Sequence, residues 1–559
     1  MLDQLKEKNT EEEKQEKAVN SQKDRFNFSK ILYLCIFKKG TTNVVPFFYA
    51  LLYKKTIQYL MRFITILLII LTYIQASTLN LSISSSPSRL NPILANDTAS
   101  SEIADWLFNG LFKYDKNGNP IEDLALSHTF ETDTKLIIKL RKNVKWHDGK
   151  DFTSRDVVFT YNTILDPKVF NSIKSNYKEV ASVKALDDYT IEVIYKKAYF
   201  KALEIWMVGI LPYHLLKDEK NLMTSSFNKN PIGTGPYVLN SFKVGQNIKL
   251  KANDNYFEGR PKIDELLYKF IPDTNTSFLF LKQKKLDLSG LTPLQIDRQI
   301  DADFKKSFKI IEKPSFSYSY VGLNLKNKKF KDIRIRKALS LAINRQELVD
   351  ILFFGHGKVC NGPFLPGSFA YDEQTKPAEH NIKKAKELLK ELGYDENNRF
   401  SFEIITNTGN DTRINAAQIL QYQLSKAGID MKIRVMEWQA YLNTIVHPRN
   451  YEAILLGWSL SLMPDAYPLW HSSSDKTGRF NLVGYSNKEV DRLIEKGSTT
   501  INRDELGKIY KSIFKKITAD IPYLFLYIPN SITVINNEIK NIEPAFTGIT
   551  HNQKDWIKP

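Results

Sequence analysis

Patterns typical of strands and of helices alternate along residues 77–559, and this alternation limits the fold more than any other feature of the sequence. Leu79–Ile83 alternates apolar and polar residues as a strand does, whereas Val157–Leu165 places its apolar residues at helical spacing. Such interleaving favours a mixed α/β architecture over a sandwich or a helical bundle. At roughly 100 to 200 residues per domain, the length predicts about three folded units.

Local patterns also predict where several elements begin and end. Apolar residues at helical spacing predict a helix over Ala99–Leu111, and Thr153–Asp156 resembles a capping box that begins the helix over Val157–Leu165. Asp332 can cap a further helix. Two extended pieces flank Asp187–Asp188, which predicts a hairpin.

The composition is that of an ordinary globular protein. Hydrophobic residues make up 42% and charged residues 25% of the chain, which excludes a collagen-like or mainly disordered protein. The formal charge is +17, but basic and acidic residues are mixed along the whole length, so we expect no nucleic-acid partner. The two cysteines, Cys35 and Cys360, form no CxxC pair. We therefore expect no structural metal and no cofactor.

A leader for export precedes the α/β part. Lys54, Lys55 and Arg62 come before the apolar run Phe63–Ile74, and small residues follow it. A helix of about twelve residues rises only about 18 Å, short of the roughly 30 Å apolar core of a bilayer. We therefore predict a signal peptide over residues 61–76 in preference to an uncleaved anchor.

Cleavage after Ala76 would release the mature protein into the periplasm. Residues 1–60 add an extension that no signal peptide needs, so translation starting at or near Met61 is an open alternative. No cysteine lies near the cleavage point, so a lipid anchor is not expected. Cys360 then has no intramolecular partner in an oxidising compartment.

Motifs of common enzymes are absent from the sequence. No GxSxG, HExxH, GxxxxGK[ST] or GxGxxG stretch occurs. His147 lies close to Asp148 and Asp151, which is compatible with an acid–base cluster, although a surface turn is the stronger interpretation. Because a glycosidase can carry its two carboxylates far apart in sequence, a secreted hydrolase stays open as an alternative.

Four stretches carry a resemblance to a known family. They are Trp146–Val158 (WHDGKDFTSRDVV), Pro231–Tyr237 (PIGTGPY), Asp332–Asn344 (DIRIRKALSLAIN) and Leu456–Leu460 (LGWSL). In their order and spacing they resemble the peptide- and nickel-binding family, family 5, of ABC-transporter solute-binding proteins. The resemblance covers nearly all of residues 77–559.

The resemblance implies a two-lobed fold of the periplasmic-binding-protein type (type II) with an additional inserted small domain. Lobe I would comprise residues 77–112, 196–325 and 527–559, and lobe II residues 326–526. The inserted small domain would be 113–195. Such a protein is not an enzyme: it closes over its cargo and delivers it to an inner-membrane permease with cytoplasmic ATPase subunits. We expect a monomer.

Peptide-binding members hold an extended peptide through main-chain hydrogen bonds, which gives broad specificity. The matching main-chain segments are Ala95–Thr98 and Gly457–Ser459, and Trp458 would form a wall of the cleft unless it is a core aromatic. Asn324 and Asn481 are weaker candidates, because loop stabilisation is the commoner role of such asparagines. The predicted ligand-binding residues are Ala95, Asn96, Asp97, Thr98, Asn324, Gly457, Trp458, Ser459, Ser461, Asp465, Tyr467 and Asn481.

The acidic residue that would bind the ammonium group of a peptide is displaced in this chain. Several peptide carriers place an aspartate four residues after the glycine of the Gly-Trp motif, and Ser461 stands there instead. Asp465 follows in a stretch that resembles an Asp-Pro-Asp-Pro-Tyr form with Met463 at the first aspartate. Asp465 therefore either supplies the anionic contact that a buried ammonium needs or turns its own loop.

Other cargo stays open within the same fold, because a fold does not fix its ligand. Nickel complexes, haem and oligosaccharides are the alternatives to peptides. A membrane-anchored structural or docking protein is a third class of function, and a soluble mature protein that begins near Ser77 would oppose it.

Overall fold

The computed structural model describes residues 56–57, 59–62 and 77–559. The chain divides into two units, Met1–Gln75 and Ala76–Pro559. Residues 56–57 and 59–62 are helical and exposed, while the predicted apolar run and cleavage point lie outside the described residues. Within the described part, no helix combines the length and the apolar character needed to cross a membrane.

Strands and helices alternate along the second unit, as the sequence patterns predict. The strands are β1 (Thr78–Ile83), β2 (Phe112–Tyr114), β3 (Pro120–Glu122), β4 (Ala125–Thr132), β5 (Lys135–Leu140), β6 (Val180–Asp187), β7 (Thr190–Tyr195), β8 (Tyr237–Lys243), β9 (Asn247–Ala252), β10 (Glu265–Phe270), β11 (Leu288–Gly290), β12 (Phe308–Pro314), β13 (Ser317–Leu323), β14 (Gly357–Val359), β15 (Phe400–Asn407), β16 (Ile429–Met436), β17 (Ala453–Ser459) and β18 (Tyr523–Asn536). The α-helices of residues 77–559 are α1 (Thr98–Leu107), α2 (Ser154–Leu165), α3 (Tyr213–Leu216), α4 (Thr274–Lys282), α5 (Pro293–Arg298), α6 (Ala302–Ser307), α7 (Lys328–Lys331), α8 (Ile333–Ala342), α9 (Arg345–Phe353), α10 (Ile382–Glu391), α11 (Asp411–Lys426), α12 (Trp438–Ala440), α13 (Tyr467–Trp470), α14 (Lys488–Ser498) and α15 (Arg503–Asp520).

One long strand joins the two lobes. The large sheet has 12 strands, of which ten run in the order β16-β15-β17-β13-β18-β11-β1-β10-β9-β8, while β12 and β14 also pair with β18. The first half of β18 pairs with β13, and its second half pairs with β12 and β11. The chain thus passes between the two halves of the sheet at the β12–β13 junction and along β18, which is the arrangement of a two-lobed protein with a hinge.

The helix α8 shows how the sequence builds the core of one lobe. The Asp332 side chain accepts a hydrogen bond from the main-chain N–H of Arg334, so it caps the helix as predicted. Ile335 and Leu339 are buried in a core that also contains Leu420 of α11. The helix is therefore fixed by both its cap and its apolar face.

A separate sheet, β4-β5-β7-β6, lies earlier in the chain. Its β6 and β7 form the hairpin predicted around Asp187–Asp188. Helix α2 begins as the capping box predicts, because the Asp156 carboxylate accepts the Thr153 N–H at 2.8 Å. This sheet and helix fall inside the stretch between α1 and the later strands of the large sheet.

The Pro231–Tyr237 motif packs directly against the end of α1. A Cβ atom at Gly233 would lie 1.7 Å from the Leu107 carbonyl oxygen, and one at Gly235 would lie 2.4 Å from that of Trp106. The Gly235 N–H donates to the Leu107 oxygen at 2.9 Å. This contact explains why α1 ends at Leu107, four residues before the end expected from its apolar spacing.

Candidate functional site

The Ala95–Thr98 segment uses its side chains to hold itself in place. The Asp97 carboxylate caps α1 by accepting the Ser100 N–H at 2.8 Å, and it also accepts the Ser88 hydroxyl at 2.6 Å. Burial alone would raise the pKa of Asp97, but the hydrogen bonds from Ser100 and Ser88 bring it below its ordinary value. The Asn96 amide oxygen accepts the Ser172 hydroxyl at 2.8 Å.

The main-chain groups of the same segment make fewer hydrogen bonds than its side chains do. Within the described residues, the N–H groups of Ala95, Asn96 and Asp97 donate no hydrogen bond. The Ala95 carbonyl accepts the Ser101 hydroxyl at 3.0 Å. Because unpaired N–H groups need an acceptor, the segment offers donors to water or to a ligand.

Gly457–Ser459 forms the end of β17, where one strand edge is open. β13 pairs with β17 along its whole length, up to Ser317 opposite Ser459. On the other side β15 pairs with β17 only at Ala453 and Ile454. Within the described residues, the edge of Gly457–Ser459 that faces away from β13 therefore has no strand partner, which is the geometry that accepts an added strand.

Trp458 belongs to an aromatic cluster beside this open edge. Its ring lies parallel to that of Tyr320 at a centroid distance of 6.2 Å and edge-on to that of Phe480 at 5.9 Å. Its indole N–H donates to the Tyr523 hydroxyl at 3.3 Å. Phe480 is 51% exposed, so the cluster presents apolar surface to solvent.

Asp465 already has a cationic partner. Its carboxylate binds the Lys201 ammonium at 2.7 Å and accepts the Tyr467 N–H at 3.1 Å. The Ser461 hydroxyl donates to the Met463 carbonyl. The Tyr467 ring stacks on His471 at 4.3 Å, and its hydroxyl contacts that of Ser473 at 3.0 Å.

Asn324 and Asn481 are buried and bound to main chain. The Asn324 amide donates to the Tyr451 carbonyl at 2.8 Å, and its oxygen accepts the Lys326 N–H at 3.1 Å. The Asn481 amide donates to the Tyr485 carbonyl at 2.8 Å and accepts the N–H of the same residue. These contacts stabilise loops, and a role of either residue in ligand binding stays a prediction.

His147 does not form an acid–base cluster with its acidic neighbours. Its Nδ1 accepts the Gly233 N–H at 3.1 Å, and its Nε2 lies 3.0 Å from the Gly235 carbonyl oxygen. Asp148 binds His214 at 2.7 Å, and Asp151 binds Lys145. The imidazole thus joins its turn to the glycine motif.

Two basic residues near the site were not identified from the sequence. Lys201 lies 264 positions from Asp465, and no sequence pattern connects them. Arg413 stands in the first turn of α11, with its guanidinium 3.5 Å from the position of a Cβ at Gly457. A cation at the start of the helix that follows the carboxyl end of β15 could have identified Arg413 from the sequence, because ligands of α/β proteins gather at that edge of the sheet.

Arg413 has no carboxylate partner among the described residues. One guanidinium nitrogen donates to the Asn407 amide oxygen at 2.9 Å, and the group lies over the Trp438 ring at 5.9 Å. Among the described residues, the structure therefore brings together a cation without a carboxylate partner, a strand edge without a neighbouring strand, and Trp458. No hydrogen bond joins this group to Ala95–Thr98 within the described chain.

Known proteins share this architecture. The family model described as "Bacterial extracellular solute-binding proteins, family 5 Middle" matches residues 119–480. The oligopeptide-binding protein AppA of Bacillus subtilis is 37% identical over 465 residues, which cover 80% of this chain and 85% of AppA.

Two solved structures extend the comparison. The structure of B. subtilis AppA in complex with a nonapeptide matches with a TM-score of 0.68 and 33% identity, covering 87% of this chain and 100% of that one. The structure of Campylobacter jejuni NikZ in complex with Ni(L-His) matches with a TM-score of 0.69 and 29% identity, with the same coverage. With its two-lobed sheet and the match over residues 119–480, the chain belongs to family 5 of the bacterial extracellular solute-binding proteins.

Proposed function

We propose that this protein is the extracytoplasmic solute-binding component of an ABC importer and that its cargo is peptide. It captures the peptide between its two lobes and delivers it to a membrane permease driven by cytoplasmic ATPase subunits. The open edge of β17 at Gly457–Ser459 is the observation that carries the proposal. Support also comes from AppA, which is named an oligopeptide-binding protein and was solved with a nonapeptide.

The open edge favours a peptide because a peptide can add to it as a strand. Main-chain hydrogen bonds to Gly457–Ser459 and to the unpaired N–H groups of Ala95–Asp97 would not depend on the cargo's side chains. The aromatic surface of Trp458 and Phe480 offers apolar contact to those side chains. Broad sequence tolerance follows from this division of roles.

Arg413 sets the direction in which a peptide would lie in the proposed site. Its guanidinium lies beside Gly457 and lacks a carboxylate partner among the described residues. A peptide carries one terminal carboxylate, and an arginine fork matches that group in charge and geometry. We assign Arg413 to the carboxyl end of the cargo.

The domain limits complete the proposal. The sequence-based limits assign residues 77–112, 196–325 and 527–559 to lobe I, 113–195 to the inserted domain and 326–526 to lobe II. Because β13 pairs with β17 and with the first half of β18, we move the first limit of lobe II from residue 326 back to the β12–β13 junction. Closure of the lobes excludes water from the cargo, which strengthens each polar contact. Secretion through residues 61–76 belongs to the same proposal.

A thermal-shift panel tests the function. The full chain, stripped of carried-over ligand by reversible unfolding, is heated with peptides of two to eight residues, nickel–histidine, haem and oligosaccharides. Peptides should stabilise the native state by about 2.7 kcal/mol at a hundredfold excess over Kd. Stabilisation by nickel–histidine, haem or sugar without any effect of peptides would overturn the assignment, and turnover of a peptide would instead identify a hydrolase.

A further inference from the structure

One ion pair connects parts of the protein that are far apart in sequence. Lys201 lies in the segment that follows β7 of the four-stranded sheet, whereas Asp465 lies in the loop that follows β17 of the large sheet. The ammonium and the carboxylate are 2.7 Å apart, and their side chains are 18% and 31% exposed. The pair is therefore partly shielded from water.

Both carboxylate oxygens of Asp465 already have a hydrogen-bond partner. One carboxylate oxygen accepts Lys201 and the other accepts the Tyr467 N–H. Burial raises the pKa of the Tyr199 and Tyr510 hydroxyls, and the nearby charge of Asp465 raises both further. A cargo ammonium at Asp465 would have to displace Lys201 or sit beside a like charge.

A second ion pair, of the opposite polarity, attaches the segment after β7 to the first residue of α15, and that residue in turn contacts the Asp465 loop, because the Arg503 guanidinium lies 2.9 Å from the Met463 sulfur. The Arg503 guanidinium binds the Glu204 carboxylate at 2.8 Å, and the Glu204 side chain is only 8% exposed. The Phe200 N–H also donates to the Ser498 carbonyl at 3.2 Å. Residues on both sides of Lys201 are thus attached to the same region as Asp465, so Lys201 is held at the carboxylate and does not reach it by chance.

We propose that Lys201 is a specificity-determining residue, because its ammonium group occupies the Asp465 carboxylate as a permanent ion-pair partner. Because this carboxylate is neutralised by the protein itself, the amino terminus of a peptide cargo is not recognised there. Peptides with a blocked amino terminus then bind as well as free ones, and Asp465 serves to join the two regions. This inference rests on the proposed peptide-binding function and revises the sequence-based role of Asp465.

Paired peptides of one sequence, free and N-acetylated, test the proposal. Calorimetric titration of the full wild-type chain should give affinities for the two forms that agree within about twofold. Lys201→Met should free Asp465 for the cargo ammonium and produce a preference of about tenfold for the free form. The matched control is Lys197→Met, since Lys197 is exposed and has no ion pair in the described chain; it should behave as the wild type.

A charge swap keeps the test decisive if a single variant fails to fold. The double variant Lys201→Asp, Asp465→Lys retains an ion pair and should retain the wild-type ratio of the two affinities. A wild-type preference of tenfold or more for the free peptide that Asp465→Asn abolishes would overturn the inference. An unchanged ratio in folded Lys201→Met would overturn it as well. If neither form binds the wild type, the proposed function fails together with the inference.

Discussion

At the residue scale, the protein itself satisfies most of the polar side chains of the candidate site. Asp97 caps α1, Asn324 and Asn481 hold loops, and Asp465 binds Lys201. What remains available is main chain together with the guanidinium of Arg413. Recognition through main chain and one terminal charge is compatible with a carrier that accepts many sequences.

Arg413→Gln tests whether Arg413 binds the terminal carboxylate of the peptide. The loss of a charged hydrogen bond should weaken binding of a peptide with a free carboxyl terminus by about 1.5 to 3 kcal/mol, and binding of its C-terminal amide should change little. Titration of both forms into the two proteins measures this difference. Arg492→Gln, which removes the same charge from an exposed position, is the control. An equal loss for acid and amide would contradict the assignment.

His147 predicts a pH dependence of stability. Burial lowers its pKa to about 4 from an ordinary value of 6.5. The unfolded chain therefore binds more protons than the folded one between these values, so the free energy of unfolding falls as the pH drops from about 6.5 to 4. The loss should reach about 2 to 3 kcal/mol at pH 4.

Chemical denaturation at pH 7 and pH 4.5 measures this effect. His147→Gln should be less stable than the wild type at pH 7, and the difference should shrink at pH 4.5. A difference that stays constant between the two pH values would show that protonation of His147 is not linked to unfolding.

At the scale of the element, apolar spacing and caps predicted several helices and strands, while the ends of some elements depended on residues far away in the sequence. The spacing and caps predicted α2 and α8 correctly, because local patterns determine both. The end of α1 was misplaced, since it is fixed by the Gly235 N–H from 128 positions further along the sequence than Leu107. The partner of Asp465 could not be predicted for the same reason: Lys201 lies in the segment after β7, 264 positions away in the sequence.

Gly235→Ala tests the contact between the glycine motif and α1. The new Cβ would lie 2.4 Å from the Trp106 carbonyl oxygen, so we expect a loss of about 3 kcal/mol in the free energy of unfolding. Gly149→Ala is the control: its Cβ would meet nothing within 4 Å, and only its φ of +86° is unfavourable, costing about 1 kcal/mol. Urea denaturation compares the two variants, and equal losses would contradict the packing argument.

At the scale of the whole molecule, the long strand β18 makes a two-lobed binding protein possible. Its two halves belong to different halves of the sheet. A small change of the main-chain dihedral angles at the strand junctions can therefore move one lobe against the other. The resemblance identified in the sequence predicted this architecture and the family. It could not predict which polar atoms stay free at the cleft, because that depends on contacts between segments hundreds of residues apart.

The most direct test of the central claim is native mass spectrometry of the protein purified from its own cell envelope. The account predicts added masses that disappear on unfolding and that fragment as a mixture of peptides, bound one per protein. A single added mass of a nickel–histidine complex, a haem or an oligosaccharide would contradict peptide as the cargo.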